Sequence, residues 1–118
     1  MFDRVNIHEV GTQEVCAHGG EGLIRFARIT DALGTEGECN FIDLAHLPPG
    51  VTIGQHTHGA DEEEFYLILS GSGSMTREKE TFRVRAGDLI RNPPGGTHTL
   101  ANDTTEVLSI FVFEVATR

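Results

Sequence analysis

The run Gly50-Val51-Thr52-Ile53-Gly54-Gln55-His56-Thr57-His58 constrains the fold more than any other stretch of the chain. Two histidines spaced i, i+2 point the same way only on extended backbone, because side chains alternate faces along a strand. Glu62-Glu63-Glu64 follows closely, and His98 returns much later in the chain. Brought together by strands, these residues offer three imidazole nitrogens and one carboxylate oxygen, a set that suits a divalent transition metal. A solitary histidine on a half-buried strand is ordinarily a satisfied polar residue, and a glutamate run ordinarily a solvated turn. Two imidazoles on one inward face each need a buried partner, and a metal supplies both at once. The residues therefore point to a β-barrel that holds a metal.

The punctuation of the chain agrees. Its 14 Gly and 4 Pro fall mostly between short apolar runs, which favours many strands joined by turns over helices. The pattern predicts strands over 4–10, 23–30, 41–47, 51–56, 64–70, 72–77, 81–85, 89–92, 97–101 and 107–115, with one helical turn allowed in the polar connection 31–40. Pro48-Pro49-Gly50 ends one strand, because proline cannot donate to a ladder. Ten strands in this order predict an all-β chain folded as a jelly-roll barrel.

At 118 residues there is room for one domain, and no internal repeat is visible. A formal net charge of −9 without a basic block argues against nucleic-acid or anionic-membrane partners. No apolar stretch is long enough to span a bilayer, and Met1-Phe2-Asp3-Arg4 lacks the apolar core of a secretory signal. The default expectation is cytoplasmic. Cys16 and Cys39 are too few for a disulfide framework and read as reduced thiols, although Cys16-Ala17-His18 carries two metal-capable side chains at i, i+2.

The segment from Gly87 to Asn102 reads Gly, five residues, Pro93, one residue, Gly95, two residues, His98, three residues, Asn102. In this it resembles the second sequence motif of the cupin superfamily, small double-stranded β-helix barrels. Gly50, His56, His58 and Gly71 fit the first cupin motif. Its glutamate does not fit uniquely: counting forward from His58 selects Glu62 or Glu63, whereas counting back from Gly71, preferred here, gives Glu64 and places an insertion in the Gly59-Ala60-Asp61 turn. An extra residue inside the following strand would instead flip every later side chain. Glu62 has the same parity and is the reserve ligand. The resemblance covers Phe41 to Val115. It divides the chain into an N-terminal arm with outer strands (1–40), packed outside the barrel or on a partner subunit, and a barrel core (41–115).

Parity extends the pocket to Thr52 and Gly54 beside His56, to Tyr66 and Ile68 beside Glu64, and to Leu100 and Asn102 beside His98, with Asn102 free to anchor the next turn instead. Tyr66 is the candidate catalytic or ligand-orienting hydroxyl. Arg28 is the candidate for gripping a substrate carboxylate or phosphate, against an ordinary solvated arginine. On the last strand either Ser109, Phe111 and Phe113 or Leu108, Ile110 and Val112 line the pocket. The resemblance implies one divalent metal (Fe, Mn, Zn or Ni) and a small oxygen-bearing substrate. The leading expectation is a dioxygenase, because a nitrogen-rich site with open positions suits oxygen chemistry. A sugar-phosphate isomerase, a decarboxylase or lyase, and a non-catalytic binder are the alternatives. Apolar residues in excess of one interior predict a twofold homodimer.

Overall fold

The computed structural model describes residues 4–117. Part of the Met1-Phe2-Asp3-Arg4 signal reading therefore lies outside the described residues. Ten strands and one short helix follow in the order β1 (Gln13–Val15), β2 (Ile24–Arg28), α1 (Ile29–Leu33), β3 (Cys39–Leu47), β4 (Thr52–Thr57), β5 (Glu62–Ser70), β6 (Ser72–Arg77), β7 (Glu80–Arg85), β8 (Leu89–Asn92), β9 (Thr97–Ala101) and β10 (Leu108–Ala116). They form a six-stranded sheet, β1-β2-β3-β10-β5-β8, and a four-stranded sheet, β4-β9-β6-β7. Every pairing is antiparallel. The chain passes repeatedly from one sheet to the other, which is the double-stranded β-helix arrangement. Among the described residues no helix is long and apolar enough to cross a membrane.

The core lies between the sheets. Ile24, Ala45, Tyr66, Ile68 and Ile110 from the larger sheet meet Ile53, Met75, Val84 and Leu100 from the smaller. β10 is the hinge of the packing, since it pairs with both β3 and β5. Ile110 lies opposite Ala45 and Ile68, and Val112 opposite Tyr66. This register places Leu108, Ile110, Val112 and Glu114 inside, and leaves Phe111 and Phe113 on the outer face, only partly buried.

Three expectations require correction. Residues 4–10 are not a strand; 7–9 form a turn, and the first strand is Gln13–Val15. The arm does cover the outer face, where Val5, Ile7 and Val10, like Phe111, pack against Ala27, Ile29 and Leu44. It also reaches the barrel mouth, since Val15, Ala17 and His18 line the cavity there. Finally, parity does not carry from His56 back to Thr52. The β4–β9 register shifts between Ile53 and His56, so Ile53 faces the core and Thr52 turns to the arm, where its Oγ1 accepts from the Glu21 amide at 2.8 Å. A bulge places an extra residue on one strand and resets the alternation.

The turns explain themselves locally. Gly71 has φ +80, and an added Cβ would collide with the Val107 carbonyl oxygen. Asn102 is fully buried and anchors the turn before β10: its Nδ2 donates to the carbonyls of Leu47 (2.8 Å) and Glu106 (2.7 Å), and its Oδ1 accepts from the Thr104 amide (3.0 Å). Of the two roles the sequence allowed for Asn102, this is the one it takes.

Candidate metal centre

His56 is the penultimate residue of β4 and lies opposite His98 on β9; His58 follows just after β4, and Glu64 comes from β5 in the facing sheet. One ligand atom from each of His56, His58, Glu64 and His98 lies within 4.8 Å of all the others. Glu64 Oε1 is 3.1 Å from His58 Nε2 and 3.1 Å from His98 Nε2. Yet Glu64 Oε1 and His58 Nε2, both buried, form no properly aligned hydrogen bond. Atoms that close, aimed at a shared point instead of at one another, are what a cation between them would satisfy. On that test the residues fit a divalent metal. Glu62 stands to the side, its Oε2 3.3 Å from His58 Nδ1.

Hydrogen bonds on the far side of two rings orient them. His56 Nδ1 donates to the Gly54 carbonyl at 2.8 Å, which leaves Nε2 with its lone pair toward the cluster. His58 Nδ1 donates to Glu114 Oε1 at 3.1 Å, and Glu114 Oε2 accepts from Asn40 Nδ2 at 3.1 Å. An imidazole that gives its second N–H to a carboxylate has a fixed tautomer and greater basicity. Nothing in the sequence alone singles out Glu114. Its signal was a charge sharing the parity of Ile110 and Val112, legible only once the inward face of β10 is known. His98 Nδ1 is buried without a partner among the described residues, as is the side-chain amide of Asn92, which lies opposite Glu64 on β8.

The charges follow from these contacts. The Glu64 carboxylate raises the His58 imidazole to about 9, with Glu62 and Glu114 adding to the effect against the cost of burial. Burial acts to raise Glu64, but the two imidazoles beside it outweigh this and hold it at about 2. Burial lowers His56 to about 4. Burial, then the Glu64 charge, keeps the Tyr66 phenol well above its ordinary value. Tyr66 is thus a protonated donor at neutral pH, and its hydroxyl lies 3.3 Å from His98 Nε2.

A cavity of about 500 Å³ opens beside the cluster, with walls that include Phe26, Phe41, Ile53 and Val112. Arg28 lines it, but its guanidinium is paired with Asp43, Nε to Oδ1 at 2.9 Å and Nη2 to Oδ2 at 3.1 Å. The two residues are direct cross-strand partners, and the guanidinium also sits 4.6 Å from the centre of the Phe41 ring. Cys16 lies apart on the surface with its thiol toward the Gly20 carbonyl. His18, however, belongs to the site: its ring stacks on His56 with centroids 3.7 Å apart.

A family model described as "Cupin domain" matches residues 43–114. An oxalate-binding protein of Thermotoga maritima is 26% identical over 84 residues, 71% of this chain and 69% of that protein. A Thermotoga maritima structure described as a predicted oxalate decarboxylase superposes with a TM-score of 0.86 at 24% identity, covering 96% of this chain and 98% of the other. A sugar phosphate isomerase of Silicibacter pomeroyi gives a TM-score of 0.78 at 17% identity, covering 95% and 74%. The two superpositions establish the shared fold, and the family match spans more than half of the sequence. The chain belongs to the cupin domain family.

Proposed function

We propose that this protein holds one divalent metal through His56, His58, Glu64 and His98, and that it takes a small oxygen-chelating anion, an oxalate- or 2-oxo-acid-like molecule, at that centre. The observation that carries the reading is the convergence of four ligand groups from facing sheets, with His56, His58 and Glu64 lining a cavity and His98 buried behind them. Four protein donors leave one or two positions on a five- or six-coordinate metal, and the donor set carries a single negative charge, so a bound divalent ion keeps a net positive charge that favours an anion. When bound, such an ion supplies Lewis acidity or redox chemistry. The similar Thermotoga maritima protein named for oxalate binding supports this substrate class.

The chain's own groups do the rest. The apolar walls exclude water, and Tyr66 presents a protonated hydroxyl. Arg28, held by Asp43 and Phe41, offers its remaining N–H groups to a second oxygen of the ligand. Oxidation of the anion is the enzymatic form we favour, since the donor set suits oxygen chemistry. Calorimetry with oxalate on iron-, manganese-, zinc- and nickel-loaded protein tests the binding. Saturable binding that vanishes on chelation is expected, and no metal-dependent binding of oxalate or any 2-oxo acid would overturn the reading. Oxygen uptake with both oxygen atoms incorporated into product identifies a dioxygenase, oxygen uptake with hydrogen peroxide release an oxidase, and carbon dioxide release without net oxygen consumption a decarboxylase. Binding with none of these identifies a carrier or sensor.

A further inference from the structure

His18 lies outside the four candidate ligands, on the arm. It is an exposed histidine with φ +50, its ring 9° from parallel with that of His56. Among the described residues neither of its ring nitrogens has a hydrogen-bond partner. We propose that His18 is a positioning residue: the arm uses its flat ring to hold the His56 imidazole in the plane that aims Nε2 at the other three ligands. The proposal rests on the reading of the centre given above.

The argument is geometric. A single hydrogen bond, His56 Nδ1 to the Gly54 carbonyl, fixes where one nitrogen points but leaves the ring free to tilt about the N–H···O line. A ring stacked face to face removes that freedom. The same arm segment also secures the hydrogen-bond acceptor: the Gly54 amide donates to the Ala17 carbonyl at 2.9 Å, and the Thr52 amide to the Glu21 carbonyl at 2.9 Å. The approach is so close that a Cβ on Gly54 would collide with the His18 carbonyl oxygen, and one on Gly20 with the Thr52 carbonyl oxygen. The bulge in β4, the two glycines and the left-handed backbone at His18 make one unit, whose outcome is a clamp on both the edge and the face of His56. A residue held in a sparsely populated backbone region persists where its surroundings over-determine it.

The test compares His18→Ala with His18→Phe in the full chain. His18→Ala should weaken metal binding about tenfold or more, the usual scale for losing an outer-shell partner, and alter the cobalt(II) absorption spectrum. His18→Phe keeps a flat ring without nitrogens and should restore both. Gly20→Ala retains His18 but pushes the arm away, and should reproduce His18→Ala while leaving the far-ultraviolet circular dichroism unchanged. In the metal-free protein, the ring-current shift on the His56 ring protons should fall in His18→Ala to what the neighbouring His58 and His98 rings contribute, and persist in His18→Phe. Unchanged affinity and spectrum in His18→Ala would overturn the proposal. So would a His18→Phe variant as weak as His18→Ala, since the nitrogens and not the stack would then matter. Failure of the wild-type protein to bind any metal would count against the proposed centre, and the ring-proton comparison then decides the clamp alone: an unshifted, freely averaging His56 in wild type sinks it.

Discussion

At the scale of single residues, the four ligand groups are unequal in what they need for binding a metal. Glu64 is already ionised, and His56 already neutral, at neutral pH. His58, raised to about 9, is protonated there and must lose its Nε2 proton to ligate. Metal binding at about pH 7.5 should therefore release close to one proton from His58, and this release should fade as pH rises through about 9. Calorimetry in buffers of differing ionisation enthalpy measures it; an enthalpy independent of buffer would contradict the assignment. Substitution separates the ligands from their supports. His58→Ala or His98→Ala should abolish stoichiometric metal, whereas Glu63→Ala should retain it. Glu114→Gln should weaken binding by about 10- to 100-fold without abolishing it, because it removes the carboxylate that orients His58. Metal analysis of the purified variants checks the set. If Glu62→Ala lost the metal and Glu64→Ala kept it, the insertion would have been placed on the wrong side.

At the scale of elements, turns decide which face each strand presents. Gly71 joins β5 to β6 with φ +80, against the Val107 carbonyl. Gly71→Ala combines a disfavoured backbone with a collision, and should cost about 2 kcal/mol or more. Thermal melting of the metal-free protein reads this directly, and a melting point equal to wild type would refute it. The bulge in β4 is subtler. Counting by twos from His56 puts Thr52 inside, yet Ile53 occupies that place, because one extra residue is accommodated where the arm hydrogen-bonds to Gly54. A glycine inside the strand, Gly54, is the local mark of that bulge. It exists because a segment more than thirty residues upstream pairs with it.

At the scale of the whole molecule, a metal held by the proposed ligands would tie β4 and β9 of one sheet to β5 of the other. A metal bound only by the folded state stabilises it by mass action, about 2.7 kcal/mol at 100 times the dissociation constant. Metal should thus raise the melting temperature, and the gain should shrink as imidazoles protonate at low pH. The metal-free protein has its own signature. His58's folded-state value lies above its ordinary 6.5, so its contribution is full below pH 6.5 and is lost as pH rises through about 9. His56's lies below, so its contribution is present above 6.5 and is lost as pH falls through about 4. A melting temperature for the metal-free protein that rises steadily from pH 6.5 to 9 would contradict the first assignment. Assembly is a separate question. The arm's Val5, Ile7 and Val10 cover part of the outer face, and Phe65 stacks on Phe113 beyond it. A twofold dimer through that remaining face is our proposal, with light scattering expected to give twice the chain mass; a monomer would mean that the arm suffices as cover.

The amino-acid sequence alone carries the turns at glycine and proline, the alternation of most strands, and the motif spacing that singles out His56, His58, Glu64 and His98 as candidate ligands. All of these are local: an extended segment fixes the parity of its own side chains, and a turn residue fixes its own φ. The folded chain turns Ile110, Val112 and Glu114 inward instead of Phe111 and Phe113. Both faces of β10 are apolar, and the choice falls to its register with β3 and β5. Tertiary structure likewise decided that Arg28 is held by Asp43, and that the arm runs to the barrel mouth and lays His18 on His56. Pairings between segments far apart in the chain leave no periodicity in either segment, so they become visible only when the chain is folded.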